Sequence, residues 1–367
     1  MTADKKYDIV KFFQAALERG ASDIIITAGV PPAVRLNGRL VHFDVPALTA
    51  EQTVKLLYSV LSQDQIARFE RDWELDFSVQ YKSEARFRGN AYRQKGAAAA
   101  VFRIIPSSIP TIEELGLPPV LAELSLQPQG LLLFTGPTGH GKSTTQAALL
   151  QLINRTRACH IITIEDPVEY LHSSDKSIID QRDVGDDTQS FAAALKHVLR
   201  QDPDVIQVGE LRDLESMTVA MTAAETGHLV MATLHTNSAS QAIDRIIDVF
   251  PAHQQNQVRT QLSFCLLAVI SQRLLPRAGR QGLVPAVEVL RNLPSVAHLI
   301  RHGKTEQIAT IIETQGKAGM QSMDAALKDL YSRGLITRET ALRHMVSPQG
   351  LGQERTTSNG GRVTGDE

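Results

Sequence analysis

The segment Gly136-Pro137-Thr138-Gly139-His140-Gly141-Lys142-Ser143-Thr144 constrains the fold of this 367-residue chain more than any other. It fits the pattern G-x-x-x-x-G-K-S/T, with the apolar run Leu131–Phe134 ahead of it and a helical pattern behind. Such a loop works only between a strand and a helix. Its glycines let the backbone curl until successive N–H groups point at phosphate oxygens, and the helix adds the positive end of its dipole. Lys142 then reaches the β- and γ-phosphates, and the Ser143 hydroxyl ligates Mg²⁺. The nine residues predict a nucleotide cradle, and the surrounding chain must supply a sheet to carry it.

The pattern around the loop meets that demand. Strands are expected at Leu131–Phe134, His160–Ile164, Asp204–Val208 and Leu229–Leu234, with helices near 142–154, 190–200, 213–226 and 239–249. Strands alternating with helices predict a parallel sheet with crossovers. Four more helical segments follow, at about 294–302, 305–314, 321–332 and 337–346.

Ahead of the core the pattern is different. A helix over 7–19 stops at Gly20, and Asn37-Gly38 between Ala33–Leu36 and Arg39–Phe43 signals a hairpin. Helices at 50–62 and 64–72 and strands at Leu75–Tyr81, Arg86–Gln94 and Ala98–Ile105 complete a small α+β domain over 1–105. Residues 106–119 hold four prolines and read as a stiff, extended linker. The ATPase-type core then covers 120–291 and a helical part covers 292–346. The last 21 residues, 347–367, hold five glycines and two apolar side chains, so they read as a disordered tail. The expected class is α/β, a P-loop core with an α+β domain before it and helices after it.

Phosphoryl transfer to water also needs carboxylates, one beside Mg²⁺ and one beside the attacking water. Two strand ends supply them: Ile161–Ile164 runs into Glu165, and Val205–Val208 runs into Gly209-Glu210. In a parallel sheet, ligands gather beyond the carboxyl ends of the strands, where both glutamates fall. His228 and His235 bracket the strand Leu229–Leu234. His228 reads as structural, and His235 stands at a strand end within reach of a γ-phosphate.

Composition narrows the partners. Lys and Arg total 38 against 40 Asp and Glu, a net charge of −2, which argues against a dedicated nucleic-acid binder. The two cysteines, Cys159 and Cys265, share no metal-type spacing with the histidines and read as thiols in a reducing compartment. The apolar run Leu262–Ile270 is far shorter than the ~20 residues that span a bilayer. Met1–Phe13 has no continuous apolar stretch of the targeting kind. A soluble cytoplasmic protein is expected.

Four segments together resemble a known family. Gly136–Thr144, Ile161–Tyr170, Asp202–Asp213 and Thr226–Thr236 are similar, in order, to the Walker A, Asp box, Walker B and His box of the secretion ATPases. The nearest likeness is to the PilT-type ATPases, retraction motors of bacterial type IV pili. It runs from about Ala21 to Arg343 and includes Gly20-Ala21-Ser22-Asp23 and Ala28-Gly29-Val30-Pro31-Pro32. The resemblance implies a PAS-like N-terminal domain, a RecA-like core, a homohexameric ring and hydrolysis of ATP with Mg²⁺. Its implied partners are an inner-membrane platform protein of the pilus machine and paralogous pilus ATPases, at the inner face of the cytoplasmic membrane.

By the same resemblance Glu165 is the catalytic base, Glu210 the Walker B glutamate beside Mg²⁺ and water, and His235 the residue that couples nucleotide state to domain position. Arg88 and Arg103 match the arginines that reach the nucleotide, where a guanidinium offsets the charge of the transferring phosphoryl group. Arg245 is a further candidate. The sequence leaves Glu165 and Glu210 exchangeable in role.

The chain departs from the family pattern in three places, two single residues and one segment. His140 stands where serine is usual, and Gln207 replaces an apolar Walker B residue. Ser295-Val296-Ala297-His298-Leu299-Ile300-Arg301 keeps only the Leu-Ile-Arg half of a segment associated with retraction. The alternatives are an accessory PilU-like paralogue, a nucleotide-dependent scaffold with weak turnover, a secretion or assembly ATPase, and a DNA translocase.

Overall fold

Phe13 organises the N-terminal unit. Its ring stacks on Phe87 with centroids 3.9 Å apart and meets Phe102 edge-on at 5.2 Å. Such aromatic pairs add about 0.5–1.5 kcal/mol each beyond the area they bury. The computed structural model describes residues 7–36, 38–82, 85–105, 108–279, 281–348 and 351. Asn37 of the expected turn, Pro106 and Ser107 of the expected linker, and nearly all of the expected tail lie outside these residues.

The chain forms two compact units. The first comprises residues up to Pro110 together with Glu165–Ser174, and the second comprises Thr111–Ile164 and Asp175 onward. The segment 165–174 thus groups with the N-terminal elements, although the expected core spans it.

In the first unit, α1 (Ile9–Glu18) starts at Asp8, whose carboxylate accepts from the Val10 N–H. It is followed by β1 (Asp23–Ile26), β2 (Ala33–Leu36) and β3 (Arg39–His42). Then come α2 (Ala50–Tyr58) and α3 (Gln63–Asp72), each opened by a capping box: Thr49 with Gln52, and Ser62 with Gln65. β4 (Glu74–Tyr81), β5 (Ala85–Gln94) and β6 (Ala97–Ile105) complete an antiparallel sheet in the order β3-β2-β1-β6-β5-β4. Ile24, Phe69, Phe77 and Phe102 share its core with Phe13.

The second unit opens with a departure from the extended linker. Ile112–Leu115 form a helical turn, α4, with a capping box between Thr111 and Glu114 and a left-handed Gly116 to end it. Ile112 and Leu117 are buried with the core, so local capping and burial override the proline-rich composition. The elements that follow are α5 (Val120–Ser125), β7 (Gly130–Thr135), α6 (Lys142–Thr156), β8 (His160–Glu165), β9 (Ile178–Asp183), α7 (Phe191–Val198), β10 (Val205–Val208), α8 (Leu214–Glu225), β11 (Leu229–Leu234), α9 (Ala239–Asp248), α10 (Gln255–Cys265), β12 (Leu266–Pro276) and β13 (Leu283–Arg291). The C-terminal helices are α11 (Pro294–Arg301), α12 (Ile308–Thr314), α13 (Met323–Ser332) and α14 (Arg338–His344).

The sheet order is β13-β12-β7-β11-β10-β8-β9. The four expected strands lie together at its centre, and β12, β7, β11, β10 and β8 run parallel. The sheet is nonetheless mixed, because β13 pairs antiparallel with β12. The sequence pattern does not announce β9, β12 or β13. Leu262–Ile270 is apolar but for Ser263, so no change of period marks the switch from α10 to β12 at Leu266.

Side chains alternate across the sheet and both faces are covered. Leu131, Leu133, Ile162, Ile206 and Val230 face one cluster, while Leu132, Phe134, Ile161, Val205 and Met231 face the other. A strand buried on both faces needs continuous apolar sequence, which is what makes these four strands legible. Among the described residues, no helix is long and apolar enough to cross a membrane.

Candidate nucleotide site

The phosphate loop leaves β7 at Thr135 and enters α6 at Lys142. Gly136, Gly139 and Gly141 all have positive φ, at 134°, 77° and 79°. Two of them are also fixed by close approach. A Cβ on Gly136 would stand 2.3 Å from the Gln272 carbonyl oxygen, and one on Gly141 would stand 2.9 Å from the Gln272 amide nitrogen.

Helix α6 begins at Gly141 with no side-chain cap, whereas α7, α8 and α9 are capped by Ser190, Asp213 and Ser238. Its start thus lacks the side-chain oxygen that fills this place on the other crossover helices, and a helix N-terminus of this kind suits an anion. Lys142 is 7% exposed, and its Nζ donates to the carbonyls of Gly136 at 2.7 Å and Pro137 at 3.0 Å. The ammonium is thus folded over the loop. Ser143 and Thr144 follow on the first turn of α6.

Strand β10 delivers Glu210. The Gly209 N–H donates to the Ile164 carbonyl at 2.8 Å, the Leu211 N–H donates to the Thr233 carbonyl, and the Thr233 hydroxyl donates to the Gly209 carbonyl. These bonds pin the turn between the ends of β8 and β11. Arg212 Nε lies 2.7 Å from Glu210 Oε2, and His235 Nε2 lies 3.2 Å from Oε1. His235 Nδ1 is 3.5 Å from both Lys142 Nζ and Thr138 Oγ1. The Lys142 ammonium can only donate and the Glu210 carboxylate can only accept. The tautomer that satisfies both has its lone pair on Nδ1 and its proton on Nε2, and the Thr138 hydroxyl fits either.

Lys142, Thr138, His235 and Glu210 therefore form one cluster. Glu165 closes β8 one residue beyond the Ile164–Val208 pair and is 8% exposed. His228 behaves as a structural residue, its Nδ1 lying 2.9 Å from the Ala223 carbonyl at the end of α8. Arg245 is exposed on α9. Gln207 is buried in β10, and its Oε1 finds no protein donor.

Arg88 and Arg103 form a second cluster, within the N-terminal unit. They lie opposite one another in the β5–β6 ladder and line a cleft of about 300 Å³ with Asp23, Asp76 and Asn90. They also border a cavity of about 220 Å³ with Pro167, Glu169 and Tyr170 of the Asp-box segment. Arg103 Nε donates to Asp23 Oδ1 at 3.1 Å, and Arg35 approaches the other Asp23 oxygen at 3.6 Å.

Sequence reasoning did not single out Arg212, Thr233 or Gln272. Arg212 lies inside the Walker B segment, two residues past the glutamate, and that spacing was a usable signal. Gln272 lies on the unannounced strand β12 and offered none. Among the described residues, no three His, Cys, Asp or Glu side chains converge to hold a metal ion by themselves.

A family model described as type II/IV secretion system protein matches residues 3–317. The chain belongs to that family. It is 46% identical over 342 residues to the type IV pilus retraction ATPase PilT of Pseudomonas aeruginosa, covering 93% of this chain and 99% of that one. The type IV pilus ATPase PilU of the same organism is 43% identical over 341 residues, 93% and 89% of the two chains. A crystal structure of the pilus retraction motor PilT with bound ADP superposes with a TM-score of 0.88 at 48% identity, over 94% of this chain and 98% of that one. The DotB ATPase of Legionella pneumophila shares the fold, with a TM-score of 0.79 at 24% identity over 91% and 95%. The architecture is that of the family, an N-terminal domain and a RecA-like ATPase core in an α/β fold. The phosphate loop belongs to a nucleotide-binding secretion ATPase of the PilT type.

Proposed function

We propose that the chain is an ATP-hydrolysing, homohexameric motor that powers type IV pilus retraction and hence twitching motility. The observation that carries this reading is the joining of Lys142 to Glu210 through His235, in a chain that matches a retraction ATPase almost end to end. The division that goes with it is a PAS-like domain over 1–105, a linker over 106–119, the RecA-like core over 120–291 and the helical part over 292–346.

The loop 136–144 binds the phosphates of ATP. Lys142 exchanges its two carbonyl acceptors for β- and γ-phosphate oxygens, which are charged and so hold it more strongly. Ser143 and Glu210 offer hard oxygen donors of the kind Mg²⁺ prefers alongside phosphate and water. When bound, that ion neutralises charge on the β- and γ-oxygens. Glu165 accepts the proton of the attacking water, and Glu210 orients that water, with its carboxylate held by His235 and Arg212. Arg88 and Arg103 offset charge on the transferring phosphoryl group. His235 shares contacts with Lys142 and Glu210, so it moves when either changes partner. Nucleotide state thereby shifts the population of interdomain arrangements, which drives the platform protein at the inner face of the cytoplasmic membrane.

Pilus retraction in cells lacking their own retraction gene tests the reading. Rescue by the wild type but not by Glu210→Gln is the expected result. The similar identities to PilT and PilU, together with the altered segment Ser295–Arg301 on α11, favour an accessory PilU-like role as the second reading. Failure to rescue by a wild type that hydrolyses ATP when purified would select it.

A further inference from the structure

Strand β12 outruns its neighbour. β7 ends at Thr135, opposite Ser271, while β12 continues to Pro276. Past Ser271 the β7 edge of β12 has no strand beside it, and the phosphate loop takes that place. The Leu274 N–H donates to His140 Nδ1 at 3.0 Å. Gln272 Nε2 donates to the His140 carbonyl at 2.9 Å, and Gln272 Oε1 accepts from the Thr145 hydroxyl at 2.8 Å. Gln272 is 4% exposed, so both ends of a buried amide are spent on the loop and on the first turn of α6.

We propose that His140 and Gln272 are the positioning residues of the phosphate loop, latching it to β12, and that His140 does so as the neutral imidazole. The proposal rests on reading 136–144 as the nucleotide site and adds what fixes its shape. In a trans peptide the carbonyl and the next N–H point in opposite directions. With the His140 carbonyl drawn to Gln272, the Gly141 N–H is turned away from β12, at the start of the uncapped helix α6, where a phosphate oxygen needs a donor.

The donor at Leu274 is a backbone N–H, so Nδ1 of His140 must carry a lone pair. An imidazolium donates from both nitrogens and cannot accept that bond. Protonation would leave a backbone donor unpaired and aimed at a cation. The groups that face His140 are Lys142 on the loop, Arg273 on β12 and His344 on α14. Burial first, and then these cations, hold its pKa below the usual histidine value. The latch is therefore closed at neutral pH and opens as the medium is acidified. A serine at this position, the residue usual in the family, carries no such titration.

The test is the dissociation constant of a fluorescent ADP analogue on the full chain, measured by anisotropy from pH 7.5 down to pH 5.5. The proteins are the wild type, His140→Ala, His140→Asn and Gln272→Met, with folding checked by circular dichroism. His140→Ala and Gln272→Met should each weaken binding about three- to tenfold at pH 7.5, the worth of one or two net hydrogen bonds. In His140→Asn an amide oxygen stands close to the Nδ1 position, so this variant should recover affinity relative to His140→Ala. The wild-type advantage over His140→Ala should shrink on acidification, while the advantage of His140→Asn should persist. A wild type that binds ADP no better than His140→Ala and Gln272→Met overturns the latch and leaves the nucleotide site standing. Parallel pH profiles for wild type and His140→Asn, across a range in which the His140 ring is seen to take up its proton by NMR, overturn the role of the neutral imidazole. A wild type that binds no ADP at all overturns the site and the latch together.

Discussion

Nε2 of His235 stands 3.2 Å from Oε1 of Glu210. Its other ring nitrogen faces Lys142 Nζ at 3.5 Å, so one imidazole spans the two charged groups that the proposed hydrolysis uses. Glu210→Gln keeps the shape and removes the charge. Turnover should fall on the order of 10²-fold or more, because the attacking water loses the carboxylate that orients it, while nucleotide affinity changes far less. Steady-state ATPase assays beside equilibrium binding check both. A variant that retained most of its turnover would remove Glu210 from the chemistry.

Lys142→Ala takes away the ammonium folded over the loop. A charge-assisted bond to phosphate is worth about 1.5–3 kcal/mol, so ADP affinity should drop roughly 10- to 100-fold by calorimetry. The fold should be retained, because the carbonyls of Gly136 and Pro137 that Lys142 now holds can turn to water.

The loop glycines should not be equivalent. Alanine at Gly136 meets the Gln272 backbone at 2.3 Å as well as an unfavourable φ of 134°, and β12 cannot yield without disturbing the sheet. A loss of about 2–4 kcal/mol is expected from strain and overpacking together. Gly139 has open space around its Cβ position, so Gly139→Ala should lose only the ~1–2 kcal/mol of a left-handed residue. Urea midpoints of the two variants measure the difference, and equal losses would contradict the close approach to β12.

Acid should loosen the N-terminal unit through His172. Burial pushes this histidine down to about 4, against about 6.5 for an exposed one. Between these values the unfolded chain binds the additional proton, so this contribution to stability is complete above pH 6.5 and is lost as pH falls toward 4. The loss at the lower end is roughly 3 kcal/mol. His172→Gln should flatten the pH dependence of the urea midpoint over that window. A variant as acid-sensitive as the wild type would place the cause elsewhere.

Much of this molecule is legible in its sequence. The four central strands and the crossover helices α6, α7, α8 and α9 fall within a few residues of their expected bounds, because doubly buried strands and one-sided helices write different periods. Glu210 and His235 stand at strand ends, as the pattern says, and His235 lies between Glu210 and Lys142. The turn α4 was hidden by the prolines around it, although Thr111 and Glu114 already spelled its capping box.

What the sequence determined by itself is local chemistry. The G-x-x-x-x-G-K-S pattern between a strand and a helix marks a phosphate cradle, and a glutamate beyond the carboxyl end of a parallel strand falls on the edge of the sheet where ligands gather. What tertiary structure alone decided is how that cradle is held. Gln272 reaches His140 across 132 positions of chain, and Thr135 reaches Ser271 across 136. The pairing of β12 with β7 brings them together, and the first half of β12 continues the apolar run of α10 with no change of period to reveal the strand. A hydrogen bond between residues so far apart leaves no mark on the neighbours of either one, so only the folded chain displays it.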